Sequence, residues 1–118
     1  MEMGTFIVAG KMSDFPEGEM RAVNLEGTEV MIANVRGNLY AINNRCPHMG
    51  GNLAKGVLAD TVVTCPVHGS QFDVTSGKNL RWMKGEGLMY KLGKAIKPPQ
   101  DAVTYNVKTD GKQVLVDV

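Results

Sequence analysis

With 118 residues and a net charge of +1, the chain has room for one hydrophobic core and no charge excess for holding nucleic acid or an anionic membrane. Hydrophobic residues make up 43%, an ordinary globular share, and no apolar run approaches the ~20 residues that span a bilayer. A single soluble domain over 1–118, cytoplasmic and without a membrane anchor, is expected.

Met1–Gly10 has no basic start ahead of an apolar stretch and no small-residue cleavage site, so it reads as a first strand, Thr5–Ala9, and not as an export signal. Arg21–Leu25 and Glu29–Val35 follow as strands, separated by Glu26-Gly27. Gly37-Asn38 then suits a tight two-residue loop between Glu29–Val35 and Leu39–Asn43. Thr61–Thr64 is a short β-branched strand. Near the end, Val103–Lys108 and Gln113–Val118 flank Asp110-Gly111, a second hairpin signal. The fold class is all-β, built from many short strands. The exception is Lys78–Lys97, where Leu88, Leu92 and Ile96 recur at helical spacing and predict a short amphipathic helix, although Gly85, Gly87 and Gly93 oppose it.

All cysteine and histidine in the chain falls into one pattern. Cys46-Pro47-His48 is followed, after 16 residues, by Cys65-Pro66-Val67-His68. Each segment offers one thiolate and one imidazole, a metal-ligand set. A single structural zinc is one reading, but zinc ligands usually come as Cys pairs or His pairs spaced by two or more residues. The other is a pair of neighbouring metal atoms, because alternate residues of an extended segment, such as Cys46 and His48, project to one side. A [2Fe–2S] rhombus with two thiolates on one iron and two imidazoles on the other answers that arrangement.

The chain resembles the soluble Rieske-type ferredoxins. The resemblance rests on Cys46-Pro47-His48-Met49-Gly50, on Cys65-Pro66-Val67-His68-Gly69-Ser70, and on Phe72-Asp73 and the turn Ser76-Gly77-Lys78. It implies one [2Fe–2S] cluster per chain, with Cys46 and Cys65 on the buried iron and His48 and His68 on the outer one. It also implies a Rieske-type fold of stacked antiparallel sheets, in which two ligand loops form a small cluster-binding part at about 44–73. Met49, Gly50, Gly69 and Ser70 are the expected neighbours, the glycines letting backbone N–H groups approach cluster sulfur and Ser70 donating its hydroxyl. High-potential members of the family add a second cysteine to each loop and join the two by a disulfide. Gly51 and Val67 occupy those places here, and Phe72 replaces a tyrosine donor. A low to intermediate potential follows.

The resemblance implies a one-electron carrier and not an enzyme in itself. A flavin-dependent reductase is the expected donor, and an oxygenase or other redox protein the acceptor. A small Rieske subunit of a nitrite-reductase-like complex is the alternative, and a zinc module a further one. Oxygenase chemistry on this chain would need two more histidines, which it lacks. Lys78–Lys97 is either a partner-docking element or a surface elaboration, and Pro98-Pro99 is a weak match to the proline segment that shields the cluster in relatives.

Overall fold

A computed structural model describes residues 6–47, 50–67, 69–81 and 100–118. The strands of these residues are β1 (Phe6–Lys11), β2 (Met20–Leu25), β3 (Thr28–Val35), β4 (Asn38–Asn43), β5 (Val57–Ala59), β6 (Val62–Thr64), β7 (Gln71–Asp73), β8 (Asn79–Arg81), β9 (Thr104–Asp110) and β10 (Gln113–Asp117). They form a six-stranded sheet in the order β1-β10-β9-β4-β3-β2 and a four-stranded sheet in the order β5-β6-β7-β8. Every pairing is antiparallel. Among the described residues, helical structure is confined to the 3₁₀ turns Met12–Asp14 and Leu53–Lys55. None of their helices is long and apolar enough to cross a membrane. The all-β expectation is met.

Strand β3 divides the interior. Val30 to Val35 are all buried, which in a strand means that both faces are covered. Val30 and Ile32 point into one core with Phe15, Leu25, Ala41, Val114 and Val116. Met31, Ala33 and Val35 point the other way, into a second core with Ile42, Leu53, Val63, Phe72, Val74, Cys46 and Cys65. The first core draws on β2, β3, β4 and β10, so the large sheet curls around it. The second joins β3 and β4 to β6 and β7, so the small sheet stacks on the outer face of the large one. Each fully buried aliphatic side chain of this kind contributes roughly 1.5–3 kcal/mol.

The hairpins show how local chemistry sets register. Leu25 pairs with Thr28, and the loop is Glu26-Gly27 as expected, with φ of 53° and 95°. The next loop is Arg36-Gly37, one residue earlier than the Gly37-Asn38 of the sequence reading. Val35 pairs with Asn38, and Arg36 and Gly37 take φ of 52° and 88°. Both loops follow an asparagine whose side-chain Oδ1 accepts from the glycine N–H, Asn24 to Gly27 at 2.8 Å and Asn34 to Gly37 at 2.9 Å. That bond favours left-handed backbone at Glu26 and Arg36, where a side chain is otherwise costly. The last hairpin also differs by one residue: Asp110 pairs with Gln113, leaving Gly111-Lys112 as its loop.

Three strands escape the sequence pattern, namely β5, β7 and β8, each of three residues. Asn79–Arg81 is a strand where the amphipathic pattern predicted the start of a helix. The reason is tertiary: β8 pairs with β7, and the Asn79 backbone N–H donates to Asp101 Oδ1 at 2.8 Å. The rest of that predicted helix lies outside the described residues, as does Pro98-Pro99.

Candidate metal centre

Both loops spring from strands of fixed register. Past the end of β4, the fully buried Asn44 fastens the chain to its surroundings. Its backbone N–H donates to the Glu29 carbonyl at 2.9 Å, and its own carbonyl accepts from the Leu53 N–H at 2.9 Å. Its side-chain Oδ1 accepts from the Ala54 N–H at 2.9 Å, while Nδ2 donates to Asn52 Oδ1 at 2.8 Å. A buried amide satisfied on so many sides holds its segment firmly. Arg45 and Asn52 then form an isolated antiparallel bridge, which closes the first loop at its base. The second loop is carried directly by β6 and β7, which pair Thr64 with Gln71.

Inside these frames the two loops repeat the same backbone bonds. The Cys46 N–H donates to the Gly51 carbonyl at 2.8 Å, and the Gly50 N–H to the Cys46 carbonyl at 2.7 Å. In the second loop the Cys65 N–H donates to the Ser70 carbonyl at 2.7 Å, and the Gly69 N–H to the Cys65 carbonyl at 3.1 Å. Gly50 and Gly69 hold equivalent left-handed conformations, φ 73° and 76°. That backbone demands glycine far more than sulfur contact does. Their N–H groups close the loops onto the cysteine carbonyls.

Cys46 and Cys65 sit in the same core cluster, 2% and 3% exposed, and no disulfide joins them. Ser70 and Phe72 are completely buried. Gly51 brings the loops into contact: a Cβ there would lie 2.6 Å from Cys65 Sγ and 2.7 Å from Val67 Cγ2. Positions 51 and 67, where the resemblance puts the extra cysteine pair of high-potential members, thus face each other as glycine and valine. Val67 and Pro66 are exposed at the loop tip, as is Gly50. His48, Met49 and His68 lie outside the described residues. Among the described residues no three His, Cys, Asp or Glu side chains converge. The donor set fits a cluster whose buried side takes two thiolates, with Gly51 keeping the space beside Cys65 Sγ clear. Gly51→Ala puts a methyl group into that space, and iron retained per chain is expected to fall severalfold relative to the parent, as read by iron and sulfide analysis.

Two arginines, singled out by no sequence motif, attach to these loops. Arg45 Nη1 donates to the Gly50 carbonyl at 3.3 Å, and its Nη2 to Glu29 Oε1 at 2.8 Å. The hydrogen bond from Arg45, followed by that from Asn44, lowers the Glu29 carboxyl below the ordinary glutamate range. Arg81 Nε donates to the Gly69 carbonyl at 3.0 Å.

Comparison with known proteins agrees with this architecture. The model of the Rieske [2Fe-2S] domain family matches residues 5–86. The ferredoxin component of the naphthalene 1,2-dioxygenase system of Pseudomonas aeruginosa is 30% identical over 113 residues, covering 96% of this chain and 95% of that protein. The ferredoxin subunit of the 3-phenylpropionate/cinnamic acid dioxygenase of Shigella boydii serotype 4 is 31% identical over 114 residues, covering 95% and 92%. Among solved structures, the ferredoxin of carbazole 1,9a-dioxygenase from Nocardioides aromaticivorans IC177 superposes with a TM-score of 0.78 at 25% identity, covering 96% of this chain and 97% of that one.

Proposed function

We propose, of a chain that belongs to the Rieske [2Fe–2S] domain family, that Cys46 and Cys65 bind the inner iron of its cluster and His48 and His68 the outer one. The protein is a one-electron carrier and not an enzyme in itself. What supports the ligand assignment is the pair of matched loops: each starts from a buried cysteine, each is closed by the same two backbone bonds, and they touch at Gly51. When bound, the cluster supplies reversible one-electron chemistry. The chain's own part is to hold two thiolates in an apolar core, to keep bulk water from them, and to expose the loop tips where a partner approaches.

The relatives name the setting. They are ferredoxin components of dioxygenase systems, so the acceptor proposed for this chain is a terminal oxygenase; the donor proposed is a flavin-dependent reductase, and the proposed setting the cytoplasm. The buried Ser70 hydroxyl is proposed as a donor to cluster sulfur. Position 72, by contrast, presents a phenyl ring with no hydroxyl to donate. A reduced cluster with one such donor fewer is less stabilised, which places the potential in the low to middle part of the family's range of about −150 to +300 mV.

The test is electron flow. Reductive titration is expected to take up about one electron per chain. Protein reduced by an NADH-dependent flavin reductase is expected to reoxidise when a terminal oxygenase and its aromatic substrate are added. A chain that takes the electron but passes it to no oxygenase component overturns the acceptor assignment.

A further inference from the structure

The equivalence of the two loops extends beyond their backbone bonds. Moving nineteen residues along the chain carries Cys46 onto Cys65, Gly50 onto Gly69 and Gly51 onto Ser70. In both loops the carbonyl of the left-handed glycine accepts a bond from a guanidinium, Arg45 on Gly50 and Arg81 on Gly69. The two arginines arrive by unrelated routes. Arg45 stands directly before Cys46 in its own loop. Arg81 comes from β8, where a bulge sets Gln71 against Arg81 and Phe72 against Asn79, so that Leu80 is the extra residue. Asn79 fixes that bulge, its Nδ2 donating to the carbonyls of Gln71 and Arg81 at 3.2 and 3.0 Å. Two independent constructions that end on equivalent carbonyls indicate a shared requirement.

Their electrostatics differ. Arg45 is held in an ion pair with Glu29 at 2.8 Å, so that pair presents little net charge to the loops. Among the described residues Arg81 forms no ion pair. Its side chain is half-buried, where a charge is screened less than at the open surface. Its bond falls on Gly69, the residue after His68.

We propose that Arg81 is a positioning residue for the second ligand loop and that its guanidinium, which unlike that of Arg45 has no carboxylate partner among the described residues, acts on the cluster as a positive charge that raises its midpoint potential. This rests on the assignment of Cys65 and His68 as ligands. Reduction adds one negative charge to the cluster, and a nearby cation favours the reduced state. The planar Nε–H also fixes the Gly69 carbonyl, which a lysine ammonium on a flexible stem does less well.

Charge and positioning separate in three variants of the loaded protein. Arg81→Gln removes the charge, and the ratio of reduced to oxidised protein at a fixed applied potential is expected to fall roughly tenfold, ~59 mV for a one-electron couple. Glu29→Gln/Arg45→Gln removes a neutral pair, and its midpoint is expected to stay within about threefold of the parent by the same measure. Arg81→Lys keeps the charge, so its midpoint stays near the parent's, while hydrogen–deuterium exchange of the peptide carrying residues 65–70 quickens. An unchanged midpoint in Arg81→Gln, or an equal fall in the paired variant, overturns the proposal. If Arg81→Gln retains no cluster, Arg81→Lys decides the matter, and parent-like exchange in its second loop overturns the positioning role. Absence of the cluster from the parent protein refutes the ligand assignment instead.

Discussion

Cys65→Ser is expected to yield a colourless protein with almost no bound iron, and Cys46→Ser the same. The ligand is the thiolate, and a serine hydroxyl stays protonated at neutral pH, so the substitution removes one of the two protein bonds proposed for the inner iron. Neighbouring groups have little scope to take over. Cys65 is 3% exposed within an apolar cluster, and it shares that cluster with Cys46 as the one other sulfur ligand of the proposed set. The substitution also places a hydroxyl in the core, at a cost of about 1–3 kcal/mol if it finds no partner. Cys65→Ala separates the two effects, since it removes the ligand without adding a polar group. Both variants are expected to lose visible absorbance and iron together, while the far-ultraviolet circular dichroism of Cys65→Ala keeps its β character. A Cys65→Ala protein that retained the parent's iron content would refute the assignment.

The ligand chemistry was legible because it is local. Cys46-Pro47-His48 and Cys65-Pro66-Val67-His68 contain their donors within a few residues, and the longer strands β2, β3, β4, β9 and β10 are stretches between Gly, Asn and Asp turns that need no partner to be read. Of the three-residue strands β6 alone was legible, from its β-branched residues; β5, β7 and β8 are too short to show a period and owe their conformation to pairing. The hairpin loop at Arg36-Gly37 was placed one residue late and that at Gly111-Lys112 one residue early, since a Gly-Asn or Asp-Gly pair does not by itself say which residue is the first of the turn. Asn34 supplies that information in the first case, through a side-chain bond to Gly37. Arg45 and Arg81 were invisible for a different reason. A lone arginine has no spacing to betray it, and Arg81 reaches Gly69 from a strand that pairs through a bulge at Leu80. Arg81 lies in Lys78–Lys97, which the sequence offered as a docking element or a surface elaboration, whereas its side chain bonds to the second loop.

Phe72→Ala is expected to destabilise the protein by about 3–5 kcal/mol, which is a large share of the ~5–15 kcal/mol available to a domain. Phe72 is completely buried, lies opposite Val63 across β6 and β7, and packs in the core that also holds Met31, Ile42, Leu53 and both cysteines. That core is the junction between the two sheets, so truncating its aromatic ring opens a cavity where β7 meets β3 and β4. The backbone there is tied into ladders and has little freedom to collapse into the space. The same cavity borders the base of both loops, so cofactor retention and fold stability are expected to fail together. Urea titrations of the loaded protein followed by circular dichroism and by visible bleaching are expected to shift to lower denaturant by matching amounts. Phe72→Leu keeps an apolar body in the site and is expected to shift both by less. If the ring served the fold alone, bleaching in Phe72→Ala would stay at the parent's denaturant concentration while circular dichroism moved. Coincident shifts instead follow from the burial of Cys46 and Cys65 in the core that Phe72 fills.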